Sequence, residues 1–220
     1  MIVGLVGFIG SGKDTAADYL VNFHGFRRDS FAGTLKDAVA NIFGWDRTLL
    51  EGRTKASREW REQVDTWWAE RLNMPNLTPR WVLQHWGTEV CRVGFHDDIW
   101  IASLENKLRQ ANDNIVISDV RFPNEIKAIR NAGGLVFRIN RGEAPDWYDD
   151  AWAVNRGPNH IGWALSKDRM SKLKIHASEW AWIGHKFDGE LDNNTTFDSL
   201  FDQLKSRVQG HLGATDDLAS

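Results

Sequence analysis

A glycine loop constrains this chain more than any other stretch. Gly7-Phe8-Ile9-Gly10-Ser11-Gly12-Lys13 follows directly on the apolar run Ile2–Val6 and opens a segment with apolar Ala16, Ala17, Leu20, Val21 and Phe23. The run reads as a buried strand, and the segment from Lys13 to about His24 as a helix. The loop between them meets the pattern G-x-x-x-x-G-K. Glycines let backbone N–H groups turn inward around phosphate oxygens, while the helix behind them presents its positive end. Lys13 then reaches the β- and γ-phosphates as a mobile point charge. A glycine-rich turn with a surface lysine is the bland alternative, and the strand–loop–helix setting makes it the weaker one.

The residue after Lys13 departs from the pattern. Ser or Thr is usual there as a magnesium ligand, whereas this chain has Asp14, with Thr15 next. A carboxylate is a hard oxygen donor, so Asp14 can bind or orient hydrated magnesium.

The remaining pattern says what holds the loop. Asn114–Ser118 is a second apolar strand, ending on Asp119; further strands are expected over Leu135–Ile139 and near Phe187–Leu191. Helices are expected over 35–43, 57–72, 79–93, 98–108, 123–132 and 196–208. The helix at 57–72 rests on the stripe Trp60, Val64, Trp67, Trp68 and Leu72, which reads as core first, with pairing into a homodimer as the other use. Residues 142–174 mix Gly, Pro, Asn and charges without a period and read as a long loop or insertion, and 210–220 reads as a frayed tail. Strands alternating with helices imply an α/β domain with a central parallel sheet flanked by helices.

Two more constellations carry chemistry. Asp119-Val120-Arg121-Phe122-Pro123-Asn124-Glu125 places a carboxylate at the carboxyl end of a strand, where a metal ligand belongs in a phosphate-loop protein. Arg121 and Glu125 straddle a helix start and can form an ion pair or hold a phosphate. On the helix that begins at Thr78-Pro79, Arg80 and Gln84 share a face with Gly87-Thr88, where a missing side chain allows close approach of a ligand. For both sets the competing reading is a solvated polar face with a helix cap.

Composition removes other classes. With 27 basic and 30 acidic residues the net charge is −3, so any polyanion site is local, and wrapping nucleic acid or sitting on an anionic membrane is not expected. No stretch of about 20 apolar residues can span a bilayer. Cys91 is the sole cysteine, which excludes an intrachain disulfide and fits a reducing cytoplasm. His85 and His96 lack metal-ligand spacing.

These residues together resemble the deoxynucleoside monophosphate kinases of the tailed-bacteriophage type, relatives of adenylate kinase among the P-loop kinases. Gly10-Ser11-Gly12-Lys13-Asp14-Thr15 is similar to the family's phosphate loop, including its Asp. Phe31-Ala32-Gly33-Thr34-Leu35-Lys36-Asp37 resembles the segment after its second strand. Arg80, Gln84, Gly87 and Thr88 resemble its R-x-x-x-Q-x-x-G-T helix, Trp100 the aromatic that follows, and Asp119, Arg121 and Glu125 its D-x-R-x-x-x-E motif. His176-Ala177-Ser178-Glu179 resembles its H-x-S-E. Leu191–Thr196 resembles a nucleotide-side loop that often reads N-x-G-T, with Thr195 standing in place of glycine.

The resemblance implies a single kinase domain over 1–220, with a helical monophosphate-binding insertion at about 45–110 and a lid within about 140–175. It implies transfer of the ATP γ-phosphoryl group, with magnesium, to a deoxynucleoside monophosphate in the cytoplasm (the host cell's, for a phage-encoded protein). Gly10, Ser11, Gly12, Lys13, Asp14 and Thr15 would bind ATP, and Asp14 and Thr15 the metal. Lys36, Arg80, Gln84, Gly87, Thr88, Trp100, Asp119, Arg121 and Glu125 would form the substrate side. Within that set Arg80 and Arg121 would clamp the acceptor phosphate, Glu125 would orient Arg121, and Gln84 and Trp100 would contact base and sugar. The alternatives are another small-molecule P-loop kinase, such as a dephospho-coenzyme A kinase, or an ATP-binding switch without turnover.

Overall fold

The computed structural model describes residues 1–216. Five parallel strands form one sheet in the order β2-β3-β1-β4-β5: β1 (Ile2–Val6), β2 (Phe26–Asp29), β3 (Asn114–Ile117), β4 (Leu135–Asn140) and β5 (Gly189–Asp192). The apolar runs take the middle of the sheet. Val3 stands opposite Val116 on one side and Leu135 on the other, and Val3, Leu5, Ile115, Val116 and Val136 are wholly buried. Strands buried on both faces read as continuous apolar runs, so β1, β3 and β4 are visible in the sequence. β2 reads Phe-Arg-Arg-Asp, sits at the sheet edge and buries only Phe26. It has no apolar run to announce it. With β3 on one side of β1 and β4 on the other, the strand order reverses at β1, which puts the glycine loop at the sheet's topological switch point.

The chain divides into two compact units, Met1–Asp29 with Leu108–Ser220, and Ser30–Lys107. The first contains the sheet with α1 (Lys13–His24), α8 (Pro123–Asn131) and α11 (Phe197–Asp216), the numbering running in chain order through the helices of the second unit. Its core joins Leu5, Ala16, Leu20, Phe137, Ile139, Leu191, Leu200 and Leu204.

Residues 142–174 are not the irregular loop that their composition suggests. They contain α9 (Tyr148–Asn155) and α10 (Trp163–Leu173), tied together by Ser166 Oγ donating to Asp150 Oδ1 (2.7 Å) and by the Trp163 indole donating to the Val154 carbonyl (3.2 Å). These helices are stabilised by packing on each other, which a pattern read along one segment does not detect. The last helix likewise runs on to Asp216 rather than ending near 208, and of the expected tail 217–220 lies outside the described residues.

The second unit is helical: α2 (Gly33–Phe43), α3 (Arg47–Glu51), α4 (Lys55–Arg61), α5 (Thr66–Leu72), α6 (Pro79–His85), a π-helical stretch Trp86–Val93, and most of α7 (Ile99–Gln110). Leu35, Val39, Trp45, Leu50, Leu77, Val82 and Trp100 form its core, with Trp60, Trp68 and Trp86 packed against it. Trp67 is exposed. The single helix expected over 57–72 is two. Asp65 caps α5 by accepting from the Trp68 N–H (3.1 Å), while its other oxygen accepts from the Trp45 indole (2.8 Å), and these bonds hold a break after Arg61. The helix expected over 79–93 also changes character at Trp86, where the turns widen; such π segments often mark functional sites.

Candidate active site

The glycine loop is shaped by its neighbours. Gly12 has φ +101°, and a Cβ there would run into the Asn193 amide, so close approach and backbone geometry both require glycine. Asn193 is buried and donates to the Ser11 carbonyl (2.8 Å), locking the Leu191–Thr196 loop to the phosphate loop. Arg141 Nη1 donates to the Gly10 carbonyl (3.2 Å), and the Phe8 ring packs edge-on against Trp147 and Trp182.

Two features of the loop are unfinished. Ser11 is 2% exposed, yet its Oγ has no hydrogen-bond partner among the described residues. Lys13 folds back so that Nζ donates to the Gly7 and Phe8 carbonyls (2.8 and 2.7 Å), which are neutral acceptors. Burial, followed by repulsion from Arg121, pulls the Lys13 pKa down to about 8, although Asp14 and Glu179 act in the other direction. An orphan hydroxyl and an ammonium held by neutral carbonyls, at the N-terminus of α1, fit a polyphosphate.

Asp14 is not a free carboxylate. Arg28, delivered by β2, pairs with Asp14 and also with Asp18 (2.8 Å) one turn along α1, and it donates to Ser118 Oγ (2.5 Å) at the end of β3. Ser118 Oγ in turn donates to Asp14 Oδ1 (3.2 Å). Among the described residues no group of three His, Cys, Asp or Glu side chains forms a ready-made metal cage. Magnesium held through one or two protein oxygens, substrate phosphates and water does not need one, so Asp14 and Thr15 fit such an ion.

Beyond β3, Glu125 is 5% exposed and Oε2 accepts from the backbone N–H groups of Arg121 (2.7 Å) and Phe122 (3.0 Å). It therefore fixes Arg121 through the main chain while capping α8. The Arg121 guanidinium is held by Glu179 (2.7 Å) and Ser178 (3.3 Å). His176 caps that short 3₁₀ turn, its Nδ1 accepting from the Ser178 N–H (3.2 Å). Lys13, Asp14, Arg121 and Glu179 thus share one electrostatic neighbourhood in the first unit. Asp119, at the end of the same strand, is partly buried.

The other candidates lie in the second unit. Arg80, Gln84 and Thr88 are exposed on one side of the α6 region, with Arg80 Nε 3.3 Å from Glu62. The close approach at Gly87 is made by Leu35, whose Cδ2 would stand 2.9 Å from an added Cβ. Trp100 is 8% exposed, belongs to the core and donates from its indole to the Gly87 carbonyl (2.9 Å). Lys36 pairs with Glu51 (2.7 Å). Burial pushes the Glu51 pKa up, but the bonds and charges of Lys36 and Arg47 outweigh it and hold the carboxyl at about 2.

Arg28, Ser118 and Asp18 carried no motif to flag them. Ser118 meets Arg28 across 90 residues of chain only because β3 lies beside β2, so strand order was the missing information.

No protein-family model matches the chain. It is 34% identical, over 155 residues, to a protein of Acanthamoeba polyphaga mimivirus provisionally named a deoxynucleotide monophosphate kinase, covering 64% of this chain and 74% of that one. It is 28% identical to the deoxynucleoside-5′-monophosphate kinase of Escherichia phage T5 across 86% of this chain and 91% of that protein. Among solved structures, a shikimate kinase from Aquifex aeolicus aligns at TM-score 0.45 and 10% identity over 96% of this chain and 98% of its own. A dephospho-CoA kinase from Campylobacter jejuni aligns at 0.42 and 14% over 95% and 96%. Likenesses that low decide nothing further, and the assignment rests on the sequence relatives. By that kinship, the chain belongs to the deoxynucleoside monophosphate kinase family.

Proposed function

We propose that this protein transfers the γ-phosphoryl group of ATP to the 5′-phosphate of a deoxynucleoside monophosphate, giving ADP and the deoxynucleoside diphosphate. The observation that carries the reading is the unfinished phosphate loop, with its orphan Ser11 hydroxyl and Lys13 held by neutral carbonyls, in a chain 34% identical to a protein named for that reaction.

An acceptor phosphate oxygen forms the new bond to the γ-phosphorus as the bond to the β–γ bridging oxygen breaks. The acceptor is already an anion, so no base is needed and the protein's work is alignment and charge neutralisation. Lys13 leaves the Gly7 and Phe8 carbonyls for the phosphates, and the amides of Gly10 and Gly12, joined by that of Ser11 once it leaves the Phe8 carbonyl, hold their oxygens. Asp14 and Thr15 would hold magnesium, directly or through water, and the ion would supply further charge neutralisation. Arg28 keeps the Asp14 carboxylate in place. Arg121, steadied by Glu125 through the backbone and by Glu179 through the guanidinium, clamps the acceptor phosphate, with Asp119 supporting it. Residues 30–107 supply the monophosphate side: Arg80 for phosphate, Gln84 and Thr88 for base and sugar, and Lys36 on the same side. Trp100 acts there as a positioning residue, setting Gly87 and Thr88 through its indole bond. Residues 140–175, with α9 and α10, are the lid of this reading.

The test is a coupled assay of ADP formation with ATP, magnesium and a panel of deoxy- and ribonucleoside monophosphates. Turnover should depend on the monophosphate and favour the deoxy series. ADP release that no monophosphate alters would overturn the reading.

A further inference from the structure

Asn155 is the last residue of α9, in a stretch without sequence periodicity, and no motif singles it out. Its side-chain Nδ2 donates to the carbonyls of Trp180 and Ile183 (both 2.9 Å), with the Ala181 carbonyl at 3.4 Å. The two N–H groups of one amide thus serve carbonyls gathered from a single turn. Carbonyl oxygens brought together repel one another unless a donor stands between them, so this amide stabilises the turn's curvature.

The turn is one piece with the residues that hold Arg121. The N–H groups of Trp180 and Ala181 both donate to the Ala177 carbonyl (3.1 and 2.8 Å), and that of Ile183 donates to the Trp180 carbonyl (3.0 Å). The Trp180 indole closes the segment further by donating to the Ile175 carbonyl (3.3 Å). Within these bonds lie Ser178 and Glu179, the two side chains that hold the Arg121 guanidinium. A shift of the turn therefore carries Glu179 with it. Beyond the turn, Trp182 and Ile183 are wholly buried, and the Trp182 ring lies 4.9 Å from that of Phe8 in the phosphate loop. α9 meets Phe8 at its own start through Trp147 and Tyr148, and its Trp152 packs at Gly184, where an added Cβ would lie 3.0 Å from the indole. Hydrophobic packing is non-directional. The Asn155 bonds are directional, and they set where the turn comes to rest.

We infer that Asn155 is a positioning residue for phosphoryl transfer: by holding the 180–183 turn it sets Ser178 and Glu179, and through them the Arg121 guanidinium. The inference rests on the kinase reading for what Arg121 does there. Misplacing a reacting or clamping group by about 1 Å can cost on the order of 100-fold in rate, so a residue that touches no substrate can still govern turnover.

The test uses the full chain, at a temperature where circular dichroism shows each variant folded. Asn155→Ala should lower kcat about tenfold and leave the KM values for ATP and monophosphate within about threefold. In a Glu179→Gln background the same substitution should cost less than about twofold more, because Arg121 is already released and effects within one network do not add. A second readout needs no substrate. In arginine side-chain NMR of the free protein, the guanidinium signal lost in Arg121→Lys should show slow rotation in the wild type, and fast rotation in both Asn155→Ala and Glu179→Gln. Wild-type kcat in folded Asn155→Ala, whatever its melting temperature, would overturn the inference, as would losses that multiply with Glu179→Gln or an unchanged Arg121 signal. Should Asn155→Ala not fold, Asn155→Ser, whose short hydroxyl cannot span both carbonyls, is judged by the same criteria. A wild type without monophosphate-dependent turnover removes the kinase reading alone, and the Arg121 signal then decides whether Asn155 positions it.

Discussion

Around the phosphate loop, charged groups are already engaged inside the protein: Lys13 on two carbonyls, Arg28 on Asp14 and Asp18, Arg121 on Glu179. In the helical unit, ion pairs tie Lys36 and Arg47 to Glu51 and the exposed Arg80 to Glu62, while Arg61 Nη1 meets the Leu50 carbonyl and its Nε has no partner among the described residues. In the first region binding an anion exchanges one set of bonds for another, so affinity and position are set by competition. In the second, the exposed Arg80, Gln84 and Thr88 are the groups that would meet the monophosphate in this reading. Substitutions should therefore separate the two regions by what they change: rate and metal use around the loop, monophosphate affinity in the helical unit.

The largest effect is expected at Lys13. Lys13→Ala should lower turnover at least ~100-fold, as for other preorganised charge stabilisers, with the fold intact by circular dichroism. An enzyme that stays fully active would remove Lys13 from the site. The wild type should carry a matching pH signature. Below pH 8 the ammonium is present in the free protein; above it, nucleotide must restore the proton, so binding takes one up. ATP affinity should fall as pH rises past about 8, approaching tenfold per unit. The pKa is lowered from 10.5, so the unfolded chain holds the proton longer, and this lysine opposes folding fully below pH 8 and less as pH climbs from there.

What could be read from the sequence follows the same division. The loop, Asp119 and Arg121 sit where backbone rules place them, at the ends of apolar strands, and glycine spacing is a backbone signal. Arg28 was invisible because its strand is charged and its partners, Asp14 and Ser118, lie 14 and 90 residues away. Residues 57–72 and 142–174 misread for a related reason. Their breaks and pairings depend on single bonds, Asp65 to Trp45 in one and Ser166 to Asp150 in the other, that no periodicity encodes.

A smaller effect should follow at Arg121. Arg121→Lys keeps the charge but loses the planar fork, and turnover should drop about tenfold or more. Glu179→Gln should reproduce part of that loss by freeing the guanidinium, and restoring the acid as Asp should recover some of it. Normal kinetics in Arg121→Lys would make Arg121 a bystander.

The smallest change is expected at Trp100. Trp100→Phe removes the indole bond to the Gly87 carbonyl, at a cost of about 1–3 kcal/mol in stability if that carbonyl stays buried and unpaired. The preference for deoxy over ribo monophosphates should relax by less than about tenfold, while ATP affinity stays unchanged. An unaltered sugar ratio in a destabilised variant would leave Trp100 with a packing role alone.

The central claim is that phosphate passes from ATP to a second nucleotide, and phosphorus NMR of the intact reaction reads this directly. With ATP, magnesium and a deoxynucleoside monophosphate, the account predicts signals of ADP and the deoxynucleoside diphosphate growing in equal amounts, with no inorganic phosphate. ATP that stays intact, or that yields ADP and inorganic phosphate while the monophosphate signal is unchanged, would contradict it.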